Sequence, residues 1–134
     1  KGKLRSFLAK GIFNAILIER KAVTRENNPV PRMQAALKGG FSLIVFPEGT
    51  RSRSGEVGKF KTGLYHLAEN HDGLPLIPVH LENLFRILPK GEFFPLPLVA
   101  TLRFGEPIYL QAGETKAAFI ERARQSLISL QLAE

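Results

Sequence analysis

The stretch Phe41-Ser42-Leu43-Ile44-Val45-Phe46-Pro47-Glu48-Gly49-Thr50-Arg51-Ser52 passes from an apolar half into a polar one. Phe41 to Phe46 is too short for a helix, contains β-branched residues and is bounded by Gly39-Gly40 and Pro47, which is the pattern of a buried strand. The turn after it sets a rigid Pro47 and a permissive Gly49 around the Glu48 carboxylate, then adds the Thr50 hydroxyl and the Arg51 guanidinium. Such a turn can aim backbone N–H groups, Thr50 and Arg51 at one anion, because glycine lets the backbone approach closely and arginine presents a planar fork of donors. It is equally the composition of an ordinary Pro-Gly turn in which Glu48 and Arg51 pair with each other. The residues of the turn leave both readings open.

Upstream, Pro29 and Pro31 precede Met33, Ala35, Ala36 and Leu37, which predicts a helix of about two turns stopped by Gly39 and Gly40. Ile12 to Glu19 is dense in Ile, Leu and Phe and reads as a buried strand delivering Arg20 and Lys21 at its end. Leu4, Phe7 and Leu8 fall at helical spacing among basic residues, a short amphipathic helix ending near Gly11. Downstream, a polar loop from Arg51 to Lys59 leads to a helix over Thr62 to Asn70 that His71, Asp72 and Gly73 terminate. Leu76 to Leu81 is read as a third strand, the proline-rich residues 84 to 98 as an ordered loop, Val99 to Phe104 as a fourth strand, and Phe119 to Leu132 as an amphipathic helix. Strands alternating with helices predict an α/β sheet covered by helices, with ligands bound beyond the carboxyl ends of the strands.

The 134 residues, 44% hydrophobic and without a linker-like tract, fit one domain over residues 1–134. The first residue is lysine, and the chain reads as a fragment of a longer protein. No apolar run is long enough to span a bilayer, and no signal peptide is evident. Cysteine is absent, which removes a thiol nucleophile and cysteine-rich metal sites and fits a cytoplasmic setting. The net charge of +7 predicts anionic partners. There is no Trp, and the Phe residues sit in apolar contexts rather than among arginines as base-stacking platforms, so phosphate and lipid are favoured over nucleic acid.

Phe46-Pro47-Glu48-Gly49-Thr50-Arg51-Ser52 resembles the third signature box of the 1-acylglycerol-3-phosphate O-acyltransferase family. Further likenesses follow in the family's order. Ile16-Leu17-Ile18-Glu19-Arg20 resembles its second box, Phe60-Lys61-Thr62-Gly63 its F-K-x-G segment, Leu76-Ile77-Pro78-Val79 its fourth box, and Phe104-Gly105-Glu106-Pro107-Ile108 its last strand and turn. The resemblance implies a glycerol-phosphate acyltransferase-like fold, with a mixed, largely parallel sheet flanked by helices, here truncated at its N-terminal side. It implies transfer of a fatty acyl group from acyl-CoA or acyl carrier protein to lysophosphatidate, giving phosphatidate, without a cofactor or metal beyond that thioester co-substrate. Arg20, Arg51 and Lys61 would hold the acceptor's phosphate, while Glu48, Gly49 and Thr50 would shape the glycerol end. The family setting is the cytoplasmic face of the membrane, reached peripherally or through an anchor elsewhere in the protein. The different reading that charge supports is a non-catalytic basic module on anionic membranes or phosphorylated ligands.

The family's first box, H-x-x-x-x-D, supplies the general base that deprotonates the acceptor hydroxyl and the aspartate that orients it. It has no counterpart here. His66 and Asp72 have the wrong spacing and follow the third box, and are read as a helical side chain and part of a helix-ending turn. His80 and Glu82, at strand spacing, place both side chains on one face, yet a structural role is preferred for them. Leu88 to Leu98, with Phe93, Phe94 and Leu96, either lines an acyl channel or bilayer contact or folds over the core. The base is therefore expected upstream of Lys1, and these 134 residues alone are expected to show no turnover. Sequencing the coding region upstream checks this: an H-x-x-x-x-D box is the expected result, and an intact frame without one would favour the binding module.

Overall fold

In a computed structural model the described residues are 28–50, 52, 54–87, 94 and 96–132. The expected helix near Leu4, the strand over Ile12 to Glu19, Arg20, Arg51 and most of the Leu88 to Leu98 segment lie outside them. The chain forms two compact units, Lys1–Ile44 and Val45–Glu134.

In the first unit, helix α1 spans Val30–Lys38 and buries Met33. The Asn28 side-chain oxygen accepts the Val30 N–H at 3.0 Å, and Pro31 occupies the first turn, where a missing N–H costs nothing. The Gly39 N–H donates to the Ala35 carbonyl and the Phe41 N–H to the Ala36 carbonyl, so the Gly39-Gly40 stop is realised.

The second unit holds α2 at Gly63–Glu69, β1 at Val79–Leu81, α3 at Leu84–Ile87, β2 at Leu102–Phe104 and α4 at Lys116–Leu132. β1 and β2 pair antiparallel, with Val79 opposite Phe104, His80 opposite Arg103 and Leu81 opposite Leu102. An antiparallel bridge between Leu76 and Ile108 extends the ladder, both of its N–H···O bonds being 2.9 Å. Leu67 and Ala68 of α2 and Phe119 and Ala123 of α4 are buried, and Phe119 meets Tyr65 edge to face with ring centroids 6.0 Å apart.

Two expectations, those for Phe41 to Phe46 and for residues 84 to 98, are corrected here. Every strand pairing among the described residues is antiparallel, and the parallel part of the expected sheet is not seen among them. In the described part of the link between β1 and β2 the regular element is the four-residue α3. Phe41 to Phe46 is not a strand, and Ile44 is 91% exposed. A strand exists only through a ladder partner, and none of the described residues pairs with this run. The start of residues 84 to 98 is helical, because Asn83, in the left-handed region at φ 63°, turns its carbonyl to accept the N–H groups of Arg86 and Ile87. The prolines act only beyond it.

Helix α4 starts before Phe119 because Thr115 caps it, its Oγ1 accepting the Ala118 N–H at 3.3 Å and its carbonyl the Phe119 N–H at 3.0 Å. Glu114, just before, accepts two bonds from Arg122, Nε to Oε1 at 2.8 Å and Nη2 to Oε2 at 2.7 Å. Arg122 also donates to the Tyr109 carbonyl at 2.7 Å, tying the chain that follows β2 to α4. Hydrogen bonding from Arg122 holds the Glu114 carboxyl below the usual glutamate range against the opposing effect of desolvation. A carboxyl whose pKa is lower in the folded state stabilises fully above its unfolded value, and that contribution disappears as pH falls through the folded value. Glu114→Gln should therefore cost roughly 1 kcal/mol at pH 7, with its Tm curve beginning to approach the parent's below about pH 4.3 and meeting it only below the lower folded value. Thermal melts from pH 7 to pH 3 check this, and curves that stay parallel would contradict it.

Candidate functional site

The polar turn is held by its own backbone. The Gly49 N–H donates to the Phe46 carbonyl at 3.0 Å, closing a tight turn, and the Lys61 N–H donates to the Pro47 carbonyl at 2.8 Å, bringing the far end of the polar loop back to its start. Gly49 sits at φ 69°, the left-handed region that a side chain disfavours. A Cβ built there would lie 3.8 Å from both Cγ and Cε of Lys61. The lysine stem thus runs across Gly49, and Glu48, Gly49, Thr50 and Lys61 form one cluster.

Lys61, Gly49 and Thr50 are exposed, and Glu48 is half-buried. Among the described residues, no carboxylate lies within ion-pair distance of Lys61. Its ammonium group is therefore not committed to a carboxylate among the described residues. Glu48 is committed: its Oε2 accepts the Gly58 N–H at 2.9 Å. Of the six residues expected in the acceptor site, these four are brought together. Arg20 and Arg51 lie outside the described residues.

Gly58 is a participant that the sequence reading missed. A Cβ there would meet Glu48 Oε2 at 2.6 Å, closer than real contacts allow, so the carboxylate occupies the space that any other residue would fill. The segment around it is held by Arg124 of α4, whose Nε donates to the Gly58 carbonyl at 3.0 Å and whose Nη2 donates to the Val57 carbonyl at 3.1 Å. Gly58 had a local signal, a glycine just before the Phe60-Lys61-Thr62-Gly63 segment. Arg124 had none, being one of several charges on an amphipathic helix.

The described histidines lie on or beside the helix α2 and the strand β1. His66 lies on α2 with its Nδ1 3.2 Å from Glu69 Oε2, and His71 follows the helix end, its N–H donating to the Ala68 carbonyl. Glu82 pairs with Arg103 Nη2 at 3.2 Å, and no hydrogen bond among the described residues joins it to His80. Burial, then the Arg103 charge, pushes the His80 pKa down while Glu82 opposes, keeping the ring neutral near pH 7.

If the left-handed turn is what presents the cluster, Gly49→Ala should destabilise the protein by about 1–2 kcal/mol, the cost of that conformation for an L-residue. Lys61 is far enough away for the new methyl group to fit without a clash. Urea denaturation measures the effect, and an unchanged midpoint would show that the turn relaxes freely.

Residues 4–82 match the family model described as Acyltransferase. The chain is 44% identical over 69 residues to the 1-acyl-sn-glycerol-3-phosphate acyltransferase of Limnanthes douglasii, covering 51% of this chain and 24% of that protein. It is 31% identical over 84 residues to the chloroplastic 1-acyl-sn-glycerol-3-phosphate acyltransferase BAT2 of Brassica napus, covering 63% of this chain and 24% of the relative. It is 31% identical over 99 residues to the 1-acyl-sn-glycerol-3-phosphate acyltransferase of Pseudomonas aeruginosa, covering 73% of this chain and 38% of the relative. The first two matches thus span about a quarter of the relatives' length. No solved structure matches the chain. The family match runs through the polar turn, its closing lysine and both histidine-bearing segments, and the chain belongs to the acyltransferase family.

Proposed function

We propose that the full-length protein transfers a fatty acyl group from acyl-CoA or acyl carrier protein to the free hydroxyl of lysophosphatidate, giving phosphatidate. The observation that carries this reading is the cluster itself, where an ammonium group without a described carboxylate partner lies over a glycine turn beside a fixed carboxylate. The phosphate of the acceptor would take Lys61 together with Arg20 and Arg51, because a dianion needs several converging cations. Glu48, oriented by Gly58, would accept a hydrogen bond from the glycerol end, and Gly49 would let the backbone approach. The acceptor hydroxyl oxygen attacks the thioester carbonyl carbon, its proton passes to a general base and on to the sulfur, and the C–S bond breaks to release the thiol.

The family match covers residues 4–82 and so includes residues of both compact units, and this reading takes residues 1–134 as part of one acyltransferase domain. On this reading the antiparallel pair belongs to a larger, mixed and largely parallel sheet. The enzyme would work at the cytoplasmic face of a membrane, where its acceptor resides, and the net charge of +7 favours anionic lipid.

Acylation assays on the full-length protein and its variants test the proposal. Lys61→Ala and Arg51→Ala should each raise the KM for lysophosphatidate about tenfold or more, the loss of one charge-assisted contact, and leave the thioester KM unchanged. A full-length protein without turnover, whose binding to anionic vesicles declines evenly over many Lys and Arg variants and steeply with salt, would instead establish the non-catalytic basic module.

A further inference from the structure

The loop that orients Glu48 has no regular structure between residues 54 and 60, so its backbone carbonyls need partners from elsewhere. They find them on one face of α4. Arg124 holds the carbonyls of Val57 and Gly58, and Gln131, seven residues further along the helix and therefore on the same face, donates its Nε2 to the Gly55 carbonyl at 3.2 Å. The remaining guanidinium nitrogen of Arg124, Nη1, is 3.3 Å from Glu121 Oε1. The guanidinium is thus engaged on every nitrogen, and its planar fork meets two successive carbonyls in a way a lysine cannot reproduce.

We propose that Arg124 is a positioning residue of the acceptor site, acting through the Gly58 peptide to fix the carboxylate of Glu48. Its carbonyl bonds fix the plane of the Gly58 segment, the Gly58 N–H fixes Glu48 Oε2, and the absent side chain of Gly58 leaves the space that the carboxylate fills. The middle of the last helix, outside every signature box and separated from the turn by more than half of the chain, thereby sets the geometry of the glycerol end. This inference rests on the acceptor-site reading above.

Three variants and one background test it in the full-length protein. Arg124→Ala should speed amide hydrogen exchange at Gly58 and raise the lysophosphatidate KM about tenfold, the loss expected when a hydrogen bond to a charged group is no longer held. The thioester KM should not change, and Arg124→Lys should recover part of the loss. Gly58→Ala leaves α4 intact and should raise the same KM with little change in Tm, since only the flexible end of Glu48 must move. In a Glu48→Ala background, Arg124→Ala should add less than about a twofold effect, because coupled residues are not additive. Unchanged Gly58 exchange in Arg124→Ala, or an undiminished KM effect in the Glu48→Ala background, would overturn the proposal. Faster Gly58 exchange together with a Glu48→Ala variant of normal acceptor KM would keep the mechanical coupling and overturn the acceptor-site reading.

Discussion

The hydrogen bond from the Lys61 amide to the Pro47 carbonyl is the constraint on which the site depends. It closes a polar loop onto the turn that began it, and ordering that loop costs conformational entropy that a single backbone bond cannot offset. The helix that follows supplies what is missing. Lys61 stands just ahead of α2, and α2 is anchored by Leu67 and Ala68 in the same buried group as Phe119 and Ala123 of α4. Burial in the helical layer thus fixes one end of the loop, and the Lys61 to Pro47 bond transmits that fixity to the turn.

The other points of attachment are polar, and that division suits a phosphate site. A loop held by apolar packing would have to bury its own side chains, whereas one held through backbone carbonyls by Arg124 and Gln131 leaves its outer surface to solvent and ligand. The charge pattern follows the same logic. Arg122 and Arg124 are engaged by Glu114, Glu121 and backbone carbonyls, and so serve the fold. Among the described residues, Lys61 has no such partner.

Legibility in the sequence followed the range of the interactions. Helices α1 and α2 were readable because their stops are local: Gly39-Gly40 for the first and His71-Asp72-Gly73 for the second. Leu76 and Leu102 to Phe104 were recognised as extended segments, but their antiparallel partnership depends on pairing across a long connection, which apolar runs do not encode. The reading of Phe41 to Phe46 as a buried strand failed for the same reason, since a strand needs a partner that periodicity cannot name. In the site, Glu48, Gly49 and Thr50 were legible because they are contiguous, and Lys61 because of its segment's resemblance to a known box. Arg124 acts on backbone carbonyls distant in sequence, and no residue type at those positions announces it.

The central claim is that the turn and Lys61 form a discrete phosphate site, not one part of a diffuse basic surface. The most direct measurement is a titration of the full-length protein with glycerol 3-phosphate, followed through backbone amide chemical shifts and repeated with glycerol. The account predicts saturable shifts at Glu48, Gly49, Thr50, Gly58 and Lys61 with glycerol 3-phosphate and none with glycerol. Shifts spread over the basic residues of the whole chain and lost on adding modest salt would contradict it.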